Sequence, residues 1–123
     1  MGQVRLIEVS AEAGQDLSTS QYRAMVYASD GQIDPAGAGV SIDGILQDKP
    51  DGAGKAAILG IVGITPAEAG AAFNPGDDLT PDSVGRLVTA GTGDVIAAVA
   101  RQTASAAGDV VEVQLKIQAE APT

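Results

Sequence analysis

The sequence predicts an all-β fold, a small β-barrel or β-sandwich, on three observations. First, Val111–Gln118 alternates strictly, with Val111, Val113, Leu115 and Ile117 on one side and Glu112, Gln114, Lys116 and Gln118 on the other. That is the period of a half-buried strand. Second, turn signals recur at Asp30-Gly31, Asp51-Gly52, Pro75-Gly76, Gly91-Thr92-Gly93-Asp94 and Gly108-Asp109, dividing the chain into short apolar segments. Third, 16 glycines and abundant alanine sit beside many Val and Ile residues, so side chains are small and turns frequent.

Taken in chain order, Val4–Val9 (VRLIEV) and Tyr22–Ala28 (YRAMVYA) carry apolar residues on both faces, as a strand covered on both sides would. Ile58–Ile64 (ILGIVGI) is similar, with Gly60 and Gly63 marking a bulge or a close backbone approach. One short helix is expected at Pro66–Ala72. Thr65 would be its N-cap, Pro66 would stand in its first turn, and Glu68 would complete a capping box. Val95–Ala107 reads as either a helix capped by Asp94 or a strand; the flanking turns favour the strand. The organisation expected is an N-terminal arm or edge strand over residues 1–13, one β-rich domain over 14–118 and a tail at 119–123.

Two pseudo-repeated halves are visible on sliding the chain against itself. At an offset of 62, Gly14-Gln15-Asp16-Leu17-Ser18 meets Gly76-Asp77-Asp78-Leu79-Thr80, and Met25, Val26 and Ala28 meet Leu87, Val88 and Ala90. At an offset of 54, Ile42 and Ile45 meet Ile96 and Val99, while Gly54, Ala57, Leu59 and Ile61 meet Gly108, Val111, Val113 and Leu115. Two such halves could close one small barrel.

Composition removes whole classes of chemistry. The chain has no cysteine and no histidine, hence no thiol nucleophile, no thiolate metal site and no imidazole base. Sixteen acids against seven bases give a net charge of −9, and the bases are scattered. Neither nucleic acid, which wants clustered Lys and Arg, nor an anionic membrane suits such a surface. The longest apolar run, Ala56–Ile64, is far below the ~20 residues of a membrane helix. Met1–Ser10 lacks a long apolar core, so no secretory signal is expected and the protein is expected to be cytosolic or assembled from a cytosolic pool.

The candidate sites are weak as chemistry. Gly52-Ala53-Gly54-Lys55-Ala56 fails the phosphate-loop pattern at both Lys49 and Ala56. Asp77, Asp78 and Asp82 lack the calcium-loop spacing and read as a solvated acidic turn. Ser18, Thr19 and Ser20 have no histidine to activate them. Asp48-Lys49-Pro50 is similar to the Asp-Lys-Ala hairpin tip of lipoyl domains, with Pro50 replacing the small residue, which leaves a lipoyl- or biotinyl-like carrier to weigh. A carrier β-barrel modified on Lys49 is therefore one alternative, and an enzyme working through paired carboxylates is another. No cofactor, metal or catalytic residue is assigned.

The run Gly14–Met25 (GQDLSTSQYRAM), then Gly44–Ile64 (GILQDKPDGAGKAAILGIVGI), Pro75–Ala90 (PGDDLTPDSVGRLVTA) and Gly93–Val113 (GDVIAAVARQTASAAGDVVEV) together resemble the tailed-bacteriophage capsid cement, or head decoration, proteins. The similarity runs from about Gly14 to Leu115 and rests on structural motifs. It implies a non-enzymatic virion protein on the outer capsid surface, a homotrimer at three-fold and quasi-three-fold positions. It would stabilise the expanded head by bridging neighbouring copies of the major capsid protein. For contacts, the apolar residues of the first strand, Val4, Leu6, Ile7 and Val9, could add to an exposed capsid sheet edge or fill the protein's own core. Phe73, in the Pro66–Phe73 segment, could anchor a subunit interface or plug the core.

Overall fold

A computed structural model describes the backbone of residues 6–120 and side-chain environments as far as Lys116. Nine strands follow in order: β1 Leu6–Glu12, β2 Ala24–Tyr27, β3 Ile33–Pro35, β4 Gly44–Leu46, β5 Ala56–Glu68, β6 Asp78–Pro81, β7 Leu87–Thr89, β8 Val95–Ala100 and β9 Val110–Glu120. They form one antiparallel sheet in the order β3-β2-β4-β5-β9-β8-β6-β7, with β1 added to β5, and the sheet curls into a half-barrel. The all-β expectation is met. Val95–Ala100 is the strand that its flanking turns favoured.

The expected helix at Pro66–Ala72 is not formed, and the described residues contain no helix. Thr65, Pro66, Ala67 and Glu68 instead extend β5 and pair with Val113, Glu112, Val111 and Val110 of β9. The capping-box pattern is local, whereas a ladder partner supplies hydrogen bonds along the whole segment. Pro66 fits because its nitrogen faces away from β9. Its partner Glu112 turns its carbonyl to the Arg101 N–H on the far side, so no ladder bond is lost.

The halves are real, but a single scheme relates them. Adding 54 carries β2 onto β6 and β3 onto β7, places β4 on the end of β8, and carries the start of β5 onto that of β9. Adding 56 carries β1 onto residues 62–68, the second part of β5. The ladders agree: Glu12↔Ala56 becomes Glu68↔Val110, and Val9↔Leu59 becomes Thr65↔Val113. Turns agree too, since Tyr22 donates to the Leu46 carbonyl as Gly76 does to that of Ala100.

The equivalences at an offset of 62 are therefore corrected. The turn at Gly14 corresponds to that at Gly70, whose N–H groups reach the carbonyls of Ile33 and Leu87 respectively. The likeness of Gly14–Ser18 to Gly76–Thr80 is a resemblance between two local turns that do different jobs.

Each repeat has a core. In the first, Ala13, Leu17, Met25, Ile33, Leu46, Ala57 and Leu59 cluster together. Their counterparts Ala69, Phe73, Leu79, Leu87, Ala100, Val111 and Val113 cluster in the second. That second cluster also takes in Ala24, Ala36, Ile42 and Ile45 from the first repeat, which makes the two repeats one body. Backbone bonds close the same seam. Ala24 donates to Gly85 at 2.7 Å, Gly39 to Pro81 at 3.0 Å, and Val95 to Gly39 at 3.0 Å. Gly85 is needed there: its φ is +86°, and a Cβ would stand 2.7 Å from the Ala24 carbonyl oxygen.

Tyr22 also belongs to the seam. It is the one non-glycine residue with positive φ (68°) among those described, and its counterpart is Gly76. A tyrosine holds this disfavoured conformation because its ring packs against the second core and its carbonyl accepts the Glu68 N–H at 2.8 Å. Beside it the Arg23 guanidinium grips the Glu68 carboxylate at 2.9 and 3.4 Å.

Candidate interaction surface

The contact residues expected from the sequence fall into three environments. Val4 lies outside the described residues. Leu6, Ile7 and Val9 all stand on β1, which pairs antiparallel with β5 along its length. Val9 faces Leu59 and packs against the first core, so for this residue the core-filling reading holds. Leu6 is half-buried, its side chain lying over Gly60. Ile7 is 49% exposed and sits opposite Val62, itself 55% exposed, next to a register shift at Ile7/Glu8. Phe73 is only 4% exposed and fills the second core where Leu17 fills the first; it plugs the core.

Sequence reasoning missed Val62 as a surface residue because it lies inside the continuous apolar run of β5. Exposed single aliphatic side chains elsewhere, such as Val40 and Val84, are ordinary for a protein surface. The Ile7–Val62 pair differs in being contiguous across a ladder, on a two-strand segment (residues 6–12 and 56–63) that contains no Lys or Arg.

The backbone of β1 adds a second feature. Ala13 donates to the Lys55 carbonyl, so the odd-numbered groups on this strand face β5 and those of Ser10 and Glu12 face outward. Among the described residues β1 forms a ladder with β5 alone. A parallel bridge from Ala13 to Ile33 closes the outer side just past its end, and the outer edge before that bridge is open.

The acidic positions are engaged in turn geometry. Asp77 accepts the Asn74 N–H at 2.9 Å, and Asp82 accepts the N–H groups of Val84 and Arg86 while its other oxygen meets the Arg86 guanidinium at 3.1 Å. Asp16 accepts the Ser18 N–H at 2.9 Å, and bonds from the Ser18 side chain and backbone hold its carboxyl below the usual carboxylate value. Among the described residues no three acids gather as a metal-binding group. Lys49 is exposed on the shoulder of the β4–β5 connection, beside a buried Pro50 whose carbonyl accepts the Leu17 N–H. The tip of that connection is at Ala53-Gly54, so Lys49 does not occupy the place that carrier domains give their lysine.

No protein-family model matches the chain, and no curated protein does. A solved structure does: the head fiber gp8.5 N base in bacteriophage phi29, with a TM-score of 0.73 and 20% identity over 90% of this chain and 94% of that one. The chain thus shares its fold, over nearly its whole length, with the base of a phage head fibre.

Proposed function

We propose that the protein is a non-enzymatic structural component of a phage virion that binds the outer capsid surface and stabilises the expanded head by bridging neighbouring major capsid proteins. The observation that carries this reading is the near-complete fold correspondence with a phage head-fibre base. The decoration-protein motifs between Gly14 and Leu115 support it from an independent direction. A net charge of −9 suits it as well, keeping copies apart from packaged DNA and soluble until sites exist. Such a role needs adhesion rather than catalysis. Each copy would bury about 800 Å² per partner if its contacts are of standard size, and a homotrimer at three-fold positions would share the load among capsid subunits.

The test is co-sedimentation of the purified protein with undecorated shells of the phage that carries its gene, before and after expansion. Saturable binding to expanded shells at a fixed ratio to the major capsid protein is expected. Binding to neither form, with shells competent for another ligand, would refute the reading. Sedimentation velocity of the free protein tests the trimer.

A further inference from the structure

The duplication provides an internal control for the open edge of β1. Its counterpart in the second repeat, residues 62–68, is closed in two ways. Pro66 stands where β1 has Ser10, so that position has no outward N–H. Glu68 stands where β1 has Glu12, and its N–H and carboxylate are taken by the Tyr22 carbonyl and the Arg23 guanidinium. On β1 the Ser10 and Glu12 N–H groups face outward, and the Glu12 carboxylate meets the amide of Gln32, at 2.7 Å. Ala13, the next residue, is bridged to Ile33 as Ala69 is to Leu87, so the repeats differ in what covers these N–H groups and not in that bridge.

The side chains tell the same story. At inward positions the repeats agree, Ala57 with Val111 and Leu59 with Val113. At surface positions they part: Ile58 and Val62 have the charged counterparts Glu112 and Lys116. The fold is thus satisfied by charge where the first repeat presents exposed aliphatic groups.

We propose that the outer edge of β1 receives an extended, arginine-bearing segment of a different polypeptide, which adds as a strand and covers the Ile7–Val62 pair. Resting on the function proposed above, that polypeptide is the major capsid protein. The occupant's chemistry follows from how the molecule closes the equivalent edge: a backbone carbonyl for the Glu12 N–H and a guanidinium for the Glu12 carboxylate, as Tyr22 and Arg23 supply to Glu68. Exposed Glu8 and Glu12 flank the site and select a cationic partner. A second copy, itself at −9, is the wrong sign. Main-chain bonds would give affinity and the acids specificity.

The experiment compares wild type, Ser10→Pro, Val62→Lys and Glu12→Gln for binding to the expanded shells. Ser10→Pro copies Pro66 and Val62→Lys copies Lys116, so both changes put into the first repeat what the second already holds in place. Melting temperatures close to wild type are expected for both. Each is expected to weaken shell binding at least tenfold. Glu12→Gln should weaken it less and flatten its salt dependence.

Folded Ser10→Pro and Val62→Lys proteins that bind shells like wild type would overturn the proposal and leave the capsid role standing. Wild type that binds no shell would overturn both. If Ser10→Pro instead dissociates a wild-type oligomer in sedimentation velocity and leaves shell binding intact, the edge is a contact between copies and the proposal fails. Should Ser10→Pro not fold, Val62→Lys alone decides.

Discussion

Replacing Ile45 by alanine tests whether the two repeats are one cooperative unit. Ile45 belongs to the first repeat by sequence, yet it is 0% exposed within the core of the second. Truncations of this kind cost about 2–5 kcal/mol, the removed carbons and the residual cavity both contributing. A value of about 3 kcal/mol is expected here, since the site is enclosed by strand residues that cannot readily collapse into the space. At about 2.1 cal/mol/K per residue, the unfolding entropy of the chain is about 0.26 kcal/mol/K, so Tm should fall by about 12 °C. The counterpart Val99 is half-exposed, and Val99→Ala should cost no more than about 1 kcal/mol, or about 4 °C. Differential scanning calorimetry with parallel circular dichroism is the assay. A single transition is expected in both variants, with equal calorimetric and van't Hoff enthalpies. Two separate transitions, or equal shifts for Ile45→Ala and Val99→Ala, would refute the shared-core argument.

Other outcomes follow from the same geometry. Thr80 is 2% exposed, and its hydroxyl has no hydrogen-bond partner. Thr80→Val, which copies its repeat counterpart Val26, should stabilise by about 1 kcal/mol in a urea titration, because an orphan polar group leaves the interior. Gly85→Ala should cost more than about 2 kcal/mol, and Gly54→Ala only about 1 kcal/mol. Both have left-handed φ, but an added Cβ at Gly54 meets open space and at Gly85 meets the Ala24 carbonyl. The folded-state pKa of Asp16 lies below its usual value, so its stabilising contribution is present above the ordinary carboxylate range and disappears as pH falls through the folded pKa. Asp16→Asn should therefore lose less stability than wild type between pH 7 and pH 2, read from denaturant midpoints.

Much of the fold was legible where side chains alternate. Val111–Gln118 announced β9 because its partners β5 and β8 leave one face wet, so alternation survives in the sequence. The paired apolar runs at offset 54 also carried the duplication through β4, β5, β8 and β9. Short strands such as β3, β6 and β7 were not legible, since three or four residues hold too few periods to stand out from turns. Asp78–Pro81 in particular reads as a turn and becomes a strand only between β7 and β8. The misread helix at Pro66 has the same origin: a capping box is a local preference worth about 1 kcal/mol, and a whole ladder with β9 outweighs it.

The candidate surface divides in the same way. Composition alone removed thiol and imidazole chemistry and set the charge, because those properties depend on residue type and not on position. The first apolar segment was marked as a contact candidate, but the sequence could not separate Val9, turned to the core, from Ile7, turned to solvent beside Val62. Nor could it separate Phe73 as anchor from Phe73 as plug. Those assignments depend on which side of a strand faces its neighbours, and a single register shift at Ile7/Glu8 changes the answer. Tertiary structure decided that, and it decided which of two duplicated edges is open: Ser10 and Pro66 are 56 residues apart in the chain, and only the alignment of their ladders shows that they hold the same place.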